Sequence, residues 1–217
     1  LKVGDFGIGG IPATYISSDL NGIESGGTYY VYNNANAPLT GAGSVATLKV
    51  EAITGNDTNQ IWTNRLGRRF FRSQNSSTWT EWQEIYHTGN LLGTVSQSAG
   101  VPTGAVIEAG SNANGSYTKF ADGTMICHIE ETRTLTITAA TGSLFFSTVG
   151  QWTFPVAFSA VPSTNLEVAN GNGRFVFFGS SNGTGITTTF HNGQLMTTVS
   201  QASATYTPGR IAIGRWF

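Results

Sequence analysis

Only 11% of the 217 residues are charged, the net charge is −1, and aromatic residues reach 12%. Disordered chains are short of aromatics and rich in charge, so this chain is expected to fold; nucleic-acid binding asks for a basic surface or a high pI, which the composition does not supply. With no run of about 18 apolar residues there is no membrane-spanning helix.

The chain starts at Leu1 without a charged n-region and apolar h-region, which predicts no signal peptide and suggests a piece of a longer protein. The first predicted element is one or two helical turns over residues 16–23, capped by Ser or Asp and closed by Gly26-Gly27. Short β-branched and aromatic runs cut by Gly and Asn then predict antiparallel strands at 28–32, 45–53, 60–63 and 68–72. Residues 45–53 alternate: Ala46, Leu48, Val50 and Ala52 on one face, Thr47, Lys49 and Glu51 on the other, the period of a half-buried strand. In the next strand Arg68, Phe70 and Arg72 share one face and Arg69 and Phe71 the other. Guanidinium among aromatic rings suits stacking, and a structural Arg–aromatic ladder is the expected use, with Trp79 and Trp82 as core anchors.

Composition changes near His87-Thr88-Gly89-Asn90, and residues 93–102 are small and polar, which reads as a linker or long surface connection. A boundary near residue 95 is expected, giving domains 1–94 and 95–217. Further strands are predicted at 124–130, 133–138, 166–170, 174–179, 186–191, 195–200 and 210–217, joined by turns at Ala121-Asp122-Gly123, Ser181-Asn182-Gly183 and His191-Asn192-Gly193. Seven or more short strands at this spacing predict an antiparallel β-sandwich. No fixed-period repeat is visible, so a stacked β-helix is not expected. Cys127, the single cysteine, sits in an apolar run and is expected to be an inert core thiol.

Two groups of motifs carry a family resemblance. The first runs from Asp19-Leu20-Asn21 through Gly27-Thr28-Tyr29-Tyr30, Pro38, Asn59-Gln60-Ile61-Trp62 and Gly67-Arg68-Arg69-Phe70-Phe71-Arg72 to Trp79-Thr80-Glu81-Trp82. It resembles the knob domain of phage and R-type pyocin tail fibres. Asn112–Cys127, Trp152–Phe158 and the terminal Ile211–Phe217, in that order, resemble tail-fibre C-terminal domains. The resemblance implies a small β-rich knob with a short helix followed by a β-sandwich. It also implies a homotrimer at the distal tip of the fibre, attached to upstream fibre or baseplate segments and binding a bacterial surface polysaccharide such as lipopolysaccharide or capsule.

No catalytic or cofactor motif competes with that reading. His87, His128 and His191 lie outside any nucleophile-elbow context, zinc-type spacings are absent, and no cofactor is expected. His128 and Glu130 share a strand face, where an ordinary polar surface outweighs a metal on a trimer axis. Glycoside hydrolysis needs two carboxylates, and after Glu131 the only acidic residue is Glu167. Binding is instead expected on C-terminal turns: Asn170, Asn172 and Arg174, Ser181 and Asn182, and His191 and Asn192 offer short hydrogen-bonding groups suited to sugar hydroxyls. The rival functions are a polysaccharide-degrading tail spike and a purely structural fibre segment.

Overall fold

A computed structural model describes residues 15–16, 18–54, 57–170, 175–180 and 185–217. The chain divides into two compact units, Leu1–Gly89 and Asn90–Phe217. Both are built from β-strands in mainly antiparallel sheets.

Unit 1 is a seven-stranded sheet: β1 (Tyr15–Ile16), β2 (Gly27–Val31), β3 (Ala46–Thr54), β4 (Asp57–Asn64), β5 (Arg69–Asn75) and β6 (Thr78–Trp79) in order, with β7 (Gln83–Glu84) also on β5. Only β1 and β2 run parallel among the described strands. The alternation expected of residues 45–53 is seen: Ala46, Leu48 and Val50 are buried, while Ala52, near the strand end, is exposed. The expected helix shrinks to a single 3-10 turn, Leu20–Gly22, with the Asp19 carboxylate accepting from the Asn21 N–H. Leu20 and Ile23 drop from that turn onto Val31, Leu48, Trp62 and Phe70 to make the core.

The turn is fixed from below by a polar chain of contacts. Gln60 is fully buried and donates to the carbonyls of Leu20 and Ile23, while its Oε1 accepts from Arg72 Nε at 2.9 Å. Arg72, 4% exposed, lies between two indoles, 4.2 Å from the Trp79 ring and 4.4 Å from that of Trp82. Those indoles are held in turn by bonds from Trp79 Nε1 to the Asn21 carbonyl and from Trp82 Nε1 to that of Asn36. Arg68 stacks on Phe70 and pairs with Glu84 through both Nε and Nη2. The Arg–aromatic ladder is therefore structural, as its sequence pattern suggests, and Trp79-Thr80-Glu81-Trp82 acts as a clamp on Arg72.

Unit 2 packs two sheets face to face. The six-stranded sheet orders β10 (Ile107–Asn112), β11 (Gly115–Phe120), β12 (Thr124–Glu130), β19 (Gln201–Arg215) and β13 (Arg133–Ile137), with β16 (Ser163–Asn170) also on β19. The four-stranded sheet orders β14 (Ala139–Thr141), β15 (Leu144–Thr153), β18 (Phe190–Thr197) and β17 (Val176–Ser180). Side chains from both sheets fill two adjoining cores. In one, Met125, Cys127 and Ala212 meet Trp152, Phe154 and Phe158; in the other, Ile137, Leu166 and Tyr206 meet Val149 and Leu195.

Several expectations change here. Residues 93–102 are more than a linker: β8 (Gln97–Ser98) and β9 (Val101–Pro102) form a hairpin whose turn uses positive φ at Ala99 and Gly100. Strands β10, β11, β14 and β15 escaped the sequence reading. The Asp122-Gly123 turn is present, with Gly123 at φ +93° and Asp122 Oδ1 accepting from the Thr124 N–H. His191-Asn192-Gly193, expected as a turn, instead lies inside β18, paired with Trp152, Gln151 and Gly150 of β15. Gly193 serves close packing there: a Cβ would sit 2.7 Å from Leu166 Cδ1.

Candidate functional site

Strand β19 is flanked by β12 and β16, and their registers assemble a groove on the outer face of the six-stranded sheet. His128, Ile211 and Asn165 stand in one row across the three strands; Glu130, Gly209 and Glu167 stand in the next. Alternation makes these residues outward, because their neighbours Cys127, Ala212, Arg210 and Leu166 are buried. The groove has a volume of about 460 Å³. Its floor is open because Gly209 has no side chain, and Glu167 lies over that glycine, its Cγ 3.5 Å from where a Cβ would stand.

The sheet beneath is pinned by a buried guanidinium. Arg210 donates from Nη1 to the Gly150 carbonyl on the opposite sheet at 2.9 Å and from Nη2 to Glu131 Oε1 at 2.5 Å. Glu131 also accepts from Arg133 at 2.7 Å. Burial pushes the Arg210 pKa down, and Glu131 opposes that shift. One imidazole, one amide and two carboxylates thus border an exposed isoleucine. That set accepts and donates hydrogen bonds around a small apolar contact, the chemistry a saccharide ring requires. Among the described residues no group of three or more His, Cys, Asp or Glu side chains is arranged to hold a metal ion.

Of the sequence-predicted site residues, Asn170, His191 and Asn192 are among the described residues. Asn170 ends β16. Asn172, Arg174, Ser181 and Asn182 lie outside the described residues. His191 is 5% exposed, and burial first, then Arg210, lowers its pKa, so it offers no surface donor. Asn192 is half-buried and gives its N–H to the Gly185 carbonyl. Sequence reasoning saw that His128 and Glu130 share a face but missed Asn165 and Glu167. Alternation in 163–167 is a signal for their facing; nothing local says that they neighbour β19.

Cys127 is fully buried, and burial pushes its thiol up to about 11, so it is no nucleophile. The aromatic motifs of the C-terminal half are core: Trp152, Phe154 and Phe158 pack edge to face, and Trp216 Nε1 donates to the Phe120 carbonyl.

No family model matches the chain. In sequence it is 29% identical over 97 residues to a "Probable tail fiber protein" of Haemophilus phage HP1 (strain HP1c1). That match takes in 42% of this chain and only 10% of the relative. Among solved structures, the C-terminal fragment of the P. aeruginosa R1 pyocin fibre aligns with 99% of this chain and 70% of its own, at 15% identity and a TM-score of 0.34. An N-truncated R2-type pyocin tail fibre aligns with 94% of this chain and 98% of its own, at 16% identity and a TM-score of 0.33. Discoidin II of Dictyostelium discoideum reaches 0.35 at 11% identity, over 86% of this chain and 88% of its own. Superpositions this loose do not separate a pyocin fibre from discoidin II. The sequence match and the order of the motifs point one way: the chain is similar to a phage tail fibre protein.

Proposed function

We propose that the chain is the host-recognising end of a tail fibre and that it binds a bacterial surface glycan such as lipopolysaccharide or capsule. The observation that carries this reading is the groove over Gly209, where His128, Glu130, Asn165 and Glu167 surround Ile211 on a rigid sheet. Three copies in a homotrimer, joined to upstream fibre or baseplate segments, multiply weak contacts into avidity. Assembly also covers strand edges that otherwise invite aggregation. A second contact zone is assigned to Asn170, Asn172, Arg174, Ser181 and Asn182. Phe175, 83% exposed, follows Arg174 directly and offers a bare ring against which a sugar can stack.

The test is binding of the labelled chain to a bacterial panel that includes matched mutants lacking O-antigen or capsule. Binding that disappears in one polysaccharide mutant, and that falls in Asn165→Ala and Glu167→Ala, supports the reading. Retention in every polysaccharide mutant refutes it.

One observation favours a second reading. Glu130 and Glu167 stand two strands apart across Gly209, about 10 Å between backbones, and paired carboxylates flank the bond in most glycoside hydrolases. A fall in polysaccharide chain length that Glu167→Gln abolishes distinguishes cleavage from adhesion.

A further inference from the structure

The outer face of the unit 1 sheet carries a second constellation, separate in residues and in charge from the groove of unit 2. Its inner face is filled by Val31, Leu48, Trp62 and Phe70, so the alternate positions face outward. Pairing sets Tyr30, Thr47, Thr63 and Arg69 side by side on four adjacent strands, a row about 14 Å long. The next row holds Thr28, Lys49, Ile61 and Phe71. Two aromatic rings stand out of this face, Tyr30 at 38% and Phe71 at 40% exposure. Beside Tyr30 a concavity of about 240 Å³ is bordered by Thr47, Thr63 and Arg65.

The charges on this face do not balance. Lys49 is answered by Glu51 at 2.5 Å. Arg65 and Arg69 are exposed, and among the described residues neither has an ion-pair partner. Two unanswered guanidiniums in a chain of net charge −1 mark a local positive surface. Guanidinium presents a fork that fits carboxylate or phosphate oxygens. The threonine hydroxyls match sugar hydroxyls, and the rings offer flat apolar faces for pyranose C–H groups. Ile61 and Phe71 adjoin each other, but Thr28, Thr47 and Thr63 with Lys49 and Arg69 fill most of the rest of the two rows, which favours a saccharide over an apolar protein surface.

We propose that this face is a second binding site, selective for anionic saccharides, with Arg65 and Arg69 reading the acidic group and Tyr30 stacking on the ring. The site does not depend on the groove reading and stands or falls separately from it.

Calorimetric titration of the full chain tests it, with oligogalacturonate as the carboxylate probe, a phosphorylated glucan as the phosphate probe, and neutral dextran and polyglutamate as comparisons. At least one acidic saccharide is expected to bind, and dextran and polyglutamate to bind at least about tenfold more weakly. Arg69→Ala and Arg65→Ala are each expected to weaken binding about tenfold, the worth of one charge-assisted hydrogen bond. Tyr30→Ala weakens it severalfold, whereas Ser98→Ala, at an exposed position in neither binding face, leaves it unchanged. Raising NaCl from about 0.05 to about 0.5 M also weakens it, because exposed charges are screened. Equal binding of polyglutamate reduces the face to a charged patch and overturns the proposal. So does full affinity in the Arg69→Ala and Arg65→Ala variants, or the failure of both acidic saccharides to bind.

Discussion

The clamp on Arg72 makes a quantitative claim that a double-mutant cycle can separate from its background. Arg72→Met keeps a chain of similar length between the two indoles and removes the charge. Two cation–π contacts at 4.2 and 4.4 Å are lost, together about 2–4 kcal/mol for desolvated geometry. Gln60 Oε1 also loses its donor, at about 1–3 kcal/mol for a buried acceptor left unpaired. Against these stands the cost of burying the guanidinium, whose pKa burial pushes down to about 10 while Asp19 and Glu81 pull it upward. Relief of that burial returns about 3 kcal/mol, so the single variant is expected to lose only about 2 kcal/mol. The burial cost cancels in the cycle, which pairs Arg72→Met with Trp82→Leu and the double variant. A coupling of about 1–2 kcal/mol is expected for one face of the sandwich. Urea unfolding of unit 1, followed by the indole N–H resonances of Trp62 and Trp79, supplies the four free energies. Coupling within about 0.3 kcal/mol of zero would mean that the guanidinium packs as hydrocarbon alone and would refute the argument.

Removing the charge from Glu131 leaves the fully buried Arg210 guanidinium without its counter-ion; Glu131→Gln is expected to cost about 2–4 kcal/mol in urea unfolding, while Glu51→Gln, at the exposed pair with Lys49, costs under about 0.5 kcal/mol. Gly193→Ala places a methyl 2.7 Å from Leu166 Cδ1 and is expected to destabilise unit 2 by about 1–3 kcal/mol; an unchanged midpoint contradicts that packing. His191 has a folded pKa held below its unfolded value of 6.5 by burial. The unfolded chain therefore takes up more protons in that window, so its contribution is whole above about pH 6.5 and is lost progressively as pH falls below it. His191→Gln should remove that part of the slope between about pH 7 and about pH 5, and an identical slope in the variant rules the term out. Cys127 should react with a thiol reagent only as fast as unit 2 opens, since its thiol is buried and pushed up to about 11; rapid labelling of the native chain contradicts this.

Much of the local structure was written in the sequence. Alternation alone placed Ala46, Leu48 and Val50 inward and Phe70 with Arg72, because side chains on a strand repeat every two residues regardless of what the strand pairs with. Asp122-Gly123 made its turn because few residues other than glycine accept φ near +93° without strain. The same logic failed at Asn192-Gly193. There the glycine is kept for the approach of Leu166, a residue 27 positions earlier, and local turn preference yields to packing.

Which strands lie together is another matter. The groove exists because β12 and β16 border opposite sides of β19, bringing His128 and Glu130 beside Ile211 and Gly209, and Asn165 and Glu167 onto the other flank. A slip of one residue in either pairing would turn those polar groups into the core. The sequence by itself determined β-structure, two aromatic-rich halves, the inert cysteine and the resemblance to tail fibres. The tertiary structure alone decided that two carboxylates, an imidazole and an amide from distant segments share one face. Register across non-adjacent strands is set by the summed fit of both sheets' buried side chains, a quantity that no single stretch of the chain contains.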